Sequence, residues 1–269
     1  MKKDIRLFPV VLVAMAVAML GVAGSVWAEE DCEEELCYDE TEIFFELNNT
    51  DGDLGIHSLI DGEGWKRLAM YDKRERRMLN VRVEGRLQRQ GLTEFFFESA
   101  EPTFDELDPD DFFRRFPAGE YEVEGVTIEG EQIEGETELT HLMPAPPVTS
   151  INGEDEAQQC DDEEPGYDAP DVTAPVTIEW DEVVTSHPDL GSPRSSTDIV
   201  LHNYEVVVET ETEDGLEVKM SVILPPGATS MEIPEAFIEL GDEFKYEVLV
   251  REESFNQTAT ESCFNLEEE

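Results

Sequence analysis

Apolar and polar residues alternate along much of the chain, beginning at Thr41. Ile43, Phe45 and Leu47 stand at every second position. A period of two is typical of a strand that buries one face. Comparable apolar patterns predict further strands at 56–60, 65–70, 81–87, 95–97, 121–130 and 132–141. Clusters of Gly, Asn and Asp between these segments predict turns.

One short helix interrupts the strands after residue 108. Asp108 can cap the first turn, and Pro109 suits the first helical position. Phe112, Phe113 and Phe116 would then face inward. Several short strands with a single short helix predict a β-sandwich over residues 41–143, which resembles no family that we recognise.

A proline-rich segment, Met143–Pro147, ends this first predicted domain, because prolines cannot donate hydrogen bonds to a sheet. Residues 144–269 then form a second predicted domain. Its segment 152–171 is rich in acids and carries no basic residue, which predicts a solvated loop. The sequence as a whole therefore predicts an all-β protein with two β-sandwich domains in tandem.

Residues 144–269 resemble a fibronectin type III domain. Segment 178–180 resembles strand B of that family with its core tryptophan, Trp180, and segment 204–208 resembles strand C with Tyr204. Segment 224–234 resembles the approach to strand E. The family's Leu-x-Pro-Gly-x-x-Tyr-x-Val pattern is matched by 238–248, a segment that includes Tyr246.

Two positions depart from the family pattern. Leu240 replaces the proline, and Phe244 replaces the corner tyrosine, so the hydroxyl bond to upstream backbone is missing. The resemblance implies an immunoglobulin-like sandwich that acts as a spacer or a partner-binding unit.

The N-terminus has the layout of a secretory signal peptide. Lys2, Lys3 and Arg6 precede an apolar run at 9–22, and small residues lead to Ala28. This pattern predicts cleavage after Ala28, an acidic leader at 29–40, and a secreted or periplasmic protein. The alternative, a membrane anchor, is disfavoured because the run is shorter than the ~20 residues of a span. No later segment is apolar enough to cross a membrane.

Four cysteines follow the predicted signal peptide, at Cys32, Cys37, Cys160 and Cys263. An even number in an oxidising compartment indicates disulfides. Pairing Cys32 with Cys37 would close a small N-terminal loop, and pairing Cys160 with Cys263 would join distant segments of the second half. Three pairings are possible, and the spacing alone does not choose between them.

The chain carries a formal net charge of −48. Such an excess of acids opposes nucleic-acid binding, which depends on Lys and Arg at phosphates. Two explanations remain, adaptation to a saline environment and binding of divalent cations. Because the acids are spread over the whole chain, we favour salt adaptation, in which carboxylates keep the surface hydrated.

A turn rich in Asn and Asp is the candidate metal site. Oxygen ligands at Asn49, Asp51 and Asp53, with Asp61 nearby in sequence, could bind calcium. An EF-hand is excluded, because Leu54 and Ile60 occupy the positions that need Gly and Glu. The alternative, which we favour, is an Asx-rich turn whose side chains bond nearby backbone.

Nine basic residues lie close together between positions 66 and 89. A functional interpretation is a binding site for an anionic polysaccharide or another acidic surface, through Arg74, Arg76, Arg77, Arg82 and Arg86. On one strand, Arg82 and Arg86 would share a face. The alternative, which we favour, is compensation by the protein's own acids.

Catalysis has little support in the sequence. The four histidines, at positions 57, 141, 187 and 202, lack the spacing of metal ligands, and no nucleophile or phosphate-loop motif is present. We therefore predict a non-catalytic binding, adhesion or scaffolding protein that needs no cofactor, with a protein or polysaccharide of the cell surface as its partner. The alternatives are a calcium-stabilised structural protein and a secreted hydrolase.

Overall fold

The regular structure is almost entirely β in the computed structural model, which describes residues 36–160 and 166–267. The predicted signal peptide, Cys32 and most of the acidic leader lie outside these residues. The strands of the first half are β1 (Leu36–Cys37), β2 (Glu40–Asn48), β3 (Asp53–Tyr71), β4 (Arg77–Arg82), β5 (Leu92–Glu98), β6 (Gly119–Thr127) and β7 (Gln132–Leu139).

The second half contributes shorter strands at its start and longer ones towards the C-terminus. They are β8 (Thr149–Ile151), β9 (Glu154–Asp155), β10 (Asp171–Val172), β11 (Thr177–Trp180), β12 (Leu201–Glu211), β13 (Glu217–Leu224), β14 (Ser230–Glu232), β15 (Glu243–Glu252) and β16 (Gln257–Leu266). The prediction of an all-β sandwich protein is confirmed.

The predicted helix is present as α1 (Pro109–Arg115). The carboxylate of Asp108 accepts a hydrogen bond from the Asp110 amide, which caps the helix, and Phe112 and Phe113 are buried. A second short helix, α2 (Glu235–Ile238), was not expected. In the described residues, no helix is both long and apolar enough to cross a membrane.

The long strand β3 forms the corner of the first half. Its N-terminal part pairs with β2 and β5, and its C-terminal part pairs with β6 and β4. The pairing shifts register between Asp61 and Trp65, so the strand bends from one layer into the other. The sequence suggests two strands with a turn at 61–64; the turn is instead this bend.

Side chains between the layers form the first hydrophobic core. Ile43, Phe45 and Leu47 are fully buried there, as the alternation predicts. Phe44 points to the other face of β2 and is also buried, because the Arg251 guanidinium lies 4.7 Å from its ring centre. Phe96 is 53% exposed, since β5 is an edge strand and only Phe95 and Phe97 face the core.

The second half has the strand arrangement of an immunoglobulin-like sandwich. One sheet has the order β14-β11-β8-β9, and β13-β12-β15-β16 lie in the other. Trp180 and Tyr204 are buried between them, with ring centres 5.4 Å apart. Phe244 is buried and stacks on Phe264, with ring centres 4.9 Å apart. Tyr246 is buried too, and its hydroxyl meets that of Thr149 in the opposite sheet.

One sheet runs through both halves of the chain, because β16 pairs in parallel with β2. Asn256 lies buried at this junction. Its side-chain oxygen accepts from the Phe45 amide, and its nitrogen donates to the carbonyls of Thr140 and Leu142. The proline segment adds two further bonds, from Thr258 to the Pro144 carbonyl and from Thr260 to that of Pro147. The division into domains at residue 143 stays a prediction.

Replacing Asn256 by alanine is expected to lower the free energy of unfolding by about 3 kcal/mol. The change leaves one buried and two partly buried backbone groups without this partner, and an unpaired buried group costs about 1–3 kcal/mol. Chemical denaturation of both proteins measures the difference. Asn80→Ala, at an exposed position of β4, is the control and should change stability by less than about 0.5 kcal/mol. Equal effects of the two substitutions would contradict the role of Asn256.

Candidate functional site

The turn between β2 and β3 is held by its own side chains. The side-chain oxygen of Asn48 accepts from the amides of Thr50 and Asp51, at 3.0 and 3.1 Å. Asn49 contacts the imidazole of His187 at 3.2 Å. This is the geometry of the Asx turn that the sequence favours over a calcium loop.

One of the four predicted metal ligands, Asp61, lies far from the turn that carries the other three. Asp53 begins β3 opposite Asn48, whereas Asp61 lies eight residues further along the strand, opposite Glu40. At about 3.3 Å per residue, the two aspartates are roughly 26 Å apart. Asp61 instead accepts a hydrogen bond from the amide of Gly62. Asp61 therefore cannot share a single site with Asp53, and a metal site at Asn49, Asp51 and Asp53 stays a prediction.

Most of the predicted basic cluster lies on the β3–β4 hairpin, and we call the segment 66–89, which includes the residues that follow β4, the basic hairpin. Its turn is built on Asp72, whose carboxylate accepts from the amides of Arg74 and Arg76 and from the Arg76 guanidinium. Although burial opposes ionisation, these bonds hold the pKa of Asp72 below its usual range. Arg76 therefore stabilises the turn.

The other arginines of the basic hairpin crowd one another. Arg67 and Arg82 stand directly opposite on β3 and β4, and like charges in such pairs destabilise a sheet. Arg82 also lies 3.8 Å from Glu84, with both side chains exposed. Arg86 lies beyond the end of β4, so the expectation that it shares a strand face with Arg82 is wrong.

In the part of the chain that the structure describes, the acids that pair directly with the basic hairpin belong to the hairpin itself. Among the described residues, only Asp72 and Glu84 form ion pairs with it. Arg74, Arg77 and Arg86 are exposed and form no ion pair in this part of the chain. The hairpin thus presents several guanidinium groups to solvent on a strongly acidic protein.

A surface of the opposite charge lies on the continuous sheet, and we call it the acidic face (Glu46, Asp53, Glu247 and Glu261). Glu247 and Glu261 stand directly opposite each other on β15 and β16. Burial and the neighbouring Glu261 raise the pKa of Glu247 to about 8. Burial and the nearby Glu101 raise the pKa of Asp53 to about 6. Strongly perturbed carboxyls of this kind are frequent at functional sites.

A disulfide crosses the second half beside the acidic face. It joins Cys160 to Cys263, with the Cα atoms 5.8 Å apart. Two grooves of about 730 and 500 Å³ share Cys160 in their walls. Cys37 is also disulfide-bonded.

Sequence reasoning located the basic hairpin but missed the acidic face. Arginines gathered in 24 residues are visible as a cluster, whereas Glu46 and Glu247 are 201 positions apart. Part of the acidic face could have been found from the β15–β16 hairpin. Strand alternation places Glu247 and Glu261, one on each strand, on the same face of the sheet.

Comparison with known proteins gives weak structural likenesses. The chain matches a tetra-tandem repeat from the extending region of a large adhesion protein, with 10% identity and a TM-score of 0.26, over 85% of this chain and 50% of that one. It matches three fibronectin domains of a chicken contactin with 9% identity and a TM-score of 0.28, over 86% and 68%. A bacterial ice-binding adhesin gives 11% identity and a TM-score of 0.22, over 85% and 65%.

The chain thus spans half of the first of these adhesion-protein structures and about two thirds of the second. No family model matches the sequence, and no curated protein is similar to it. With TM-scores this low, the likenesses do not indicate a function for this chain.

Proposed function

We propose that this chain is an exported, non-catalytic binding protein of the cell surface, and that the basic hairpin contacts an anionic polysaccharide or an acidic protein surface. The second half is proposed to be a fibronectin type III domain that supports this contact. The observation that carries the proposal is a set of exposed arginines that, within residues 36–160 and 166–267, form ion pairs only with acids of their own hairpin.

Retention of these arginines is costly for the fold. The opposed pair Arg67 and Arg82 reduces the stability of the sheet, and nothing in the core requires guanidinium groups at these exposed positions. An anionic partner would remove the repulsion between them. Arginine suits such a partner, because its planar group binds sulfate and carboxylate in a bidentate manner.

The joined sheet supports a role as a rigid unit. The bonds of Asn256 to Phe45, Thr140 and Leu142 cross between the two halves, and β16 pairs with β2, so the half that carries the basic hairpin is fixed to the other half. A surface held in this way loses little conformational entropy on binding.

Binding to an immobilised sulfated polysaccharide tests the proposal. Replacing both Arg74 and Arg77 by glutamine is expected to weaken binding about tenfold at low salt, since each exposed ion pair contributes up to about 1 kcal/mol. Sodium chloride should weaken binding of the original protein, and the variant should respond to salt less steeply.

The matched control removes two cations outside the hairpin, with Arg194→Gln and Lys245→Gln. This control should bind as the original protein does. Equal losses in both double variants would point to net charge rather than to a specific surface. Binding that neither pair affects would contradict the proposed contact.

A further inference from the structure

One mixed cluster of side chains lies apart from the basic hairpin and uses three different elements. Glu46 comes from β2, His57 from β3, and Glu101 from the loop after β5. One ligand atom from each lies within 4.8 Å of the others. Nε2 of His57 is 3.0 Å from Oε1 of Glu101, and Nδ1 is 3.6 Å from Oε2 of Glu46.

The imidazole is buried and held in place. The His57 side chain is only 4% exposed, and the rings of Phe44 and Phe96 pack beside it with centres 5.4 and 6.0 Å away. The amide of Gln257 donates to Glu46, so one carboxylate is oriented from the neighbouring strand. Oriented ligands with outer hydrogen bonds are the usual surroundings of a protein-bound metal.

Gly55 leaves space at the point where the donors meet. A Cβ atom at this position would lie 2.3 Å from Oε1 of Glu101 and 2.9 Å from Nε2 of His57. Any larger residue would therefore displace the carboxylate or the ring. The missing side chain allows both groups to approach from the same side of β3.

The charges of the cluster are not balanced within the described residues. Neither Glu46 nor Glu101 forms an ion pair with a lysine or arginine there. Glu98 stands directly opposite His57 on β5 and adds a further acid. A neutral imidazole donates through one nitrogen only, so it cannot satisfy both carboxylates. An imidazolium would donate to both, and a metal ion bound at one ring nitrogen would take the carboxylates as further ligands.

We propose that Glu46, His57 and Glu101 bind one divalent transition-metal ion, and that zinc fits these donors best. Zinc accepts imidazole nitrogen together with carboxylate oxygen, whereas calcium prefers oxygen ligands alone. Its ligands differ from those of the calcium turn considered in the sequence, although Asp53 of that turn lies near Glu101. A bound ion would cross-link β2, β3 and the loop after β5 in the folded state.

Calorimetric titration of the metal-free protein with zinc tests the assignment. The protein is prepared without a histidine tag, because a tag would bind zinc itself. Sodium chloride at about 0.5 M suppresses diffuse binding of zinc to surface acids. We expect one saturable site with a dissociation constant in the micromolar range or below. Calcium at the same concentrations should not fill it, and zinc at 100 times its dissociation constant should raise the unfolding midpoint.

Two variants and one control locate the ion. His57→Gln and Glu101→Gln should each weaken zinc binding at least tenfold. Glu122→Gln alters the exposed all-carboxylate group of Glu120, Glu122 and Glu136, and should leave the zinc site unchanged. Because Glu101 lies in a loop and is partly exposed, its variant decides the question if His57→Gln fails to fold.

Three outcomes would overturn the proposal. If titration finds no saturable zinc site, the imidazole of His57 only forms hydrogen bonds or ion pairs with its two carboxylates. A zinc site that survives both substitutions would lie elsewhere on the acidic surface. Equal affinity for calcium would mean that oxygen ligands alone bind the ion. None of these outcomes tests the basic hairpin. The zinc proposal can therefore be wrong while the proposed function is right, and the reverse.

Discussion

Replacing Glu247 by glutamine is expected to stabilise the protein at alkaline pH and to flatten the pH dependence of its unfolding free energy. The pKa of Glu247 is raised to about 8 in the folded protein, against 4.5 for the ordinary side chain, because of burial, Glu261 and Glu46. The folded state therefore holds a proton that the unfolded chain releases. This contribution to stability is complete below pH 4.5 and is lost as the pH rises through 8.

The size of the effect follows from the difference between the two pKa values. At about 1.4 kcal/mol per pH unit, it is at most about 5 kcal/mol over the whole window. Between pH 6.5 and 9 the original protein should lose roughly 2 kcal/mol through this group. Asp53 acts in the same direction, with a pKa of about 6. His187 and His202 have lowered pKa values because of burial, and they oppose the trend only on the acid side of pH 6.5.

Urea unfolding at pH 6.5 and 9 measures the difference between the original protein and the Glu247→Gln variant. The control is Glu243→Gln, which replaces an exposed glutamate on the same strand. That substitution should leave the pH dependence unchanged. A Glu247→Gln protein that is as sensitive to pH as the original would show that Glu247 is ionised in both states. Molar salt should reduce the effect of Glu261 but not that of burial.

Local patterns predicted the parts of the fold that depend on neighbouring residues. The alternation at Ile43, Phe45 and Leu47 identifies a buried strand face because strand geometry itself has a period of two. The helix after Asp108 could be predicted for a similar reason, since capping needs only residues within one turn.

Features made by distant residues could not be predicted in this way. The parallel pairing of β16 with β2 joins Gln257 to Glu46, and no local pattern specifies such a pair. Asparagine is a residue typical of turns, so the sequence does not indicate that Asn256 is buried. Its burial and its hydrogen bonds arise only where the two halves meet. The continuity of β3 was hidden because Asp61–Gly64 has the composition of a turn, although it is a bend in one strand.

The same reasoning separates the two candidate sites. The basic hairpin is local, so its arginines were found by counting along the chain. The cluster at His57 depends on Glu101, which is 44 residues away in a loop. In a chain with 66 acids, no pattern of spacing distinguishes that one carboxylate from the others.

Removal of the Cys160–Cys263 disulfide is expected to be the most destabilising single change in the second half. The bond closes a loop with a sequence separation of 103 residues. Cross-linking a loop of about 100 residues lowers the entropy of the unfolded chain by an amount equivalent to about 4.7 kcal/mol. The Cys160→Ser, Cys263→Ser protein should therefore lose about 3–5 kcal/mol of stability in urea.

Two features of the fold support a loss of this size. Cys263 lies on β16, the strand that joins the two halves, and the Ala157 amide near Cys160 bonds the Ser262 hydroxyl. Ser262→Ala is the control, because it removes this hydrogen bond but keeps the disulfide; it should cost about 1 kcal/mol. Reductant should destabilise the original protein more than the double variant, because both keep the disulfide of Cys37 and only the original has the Cys160–Cys263 bond to lose. If the double variant unfolds at the same urea concentration as the original, the bond does not constrain the unfolded chain. If the control costs as much as the double variant, the packing of the segment stabilises this half and the cross-link does not.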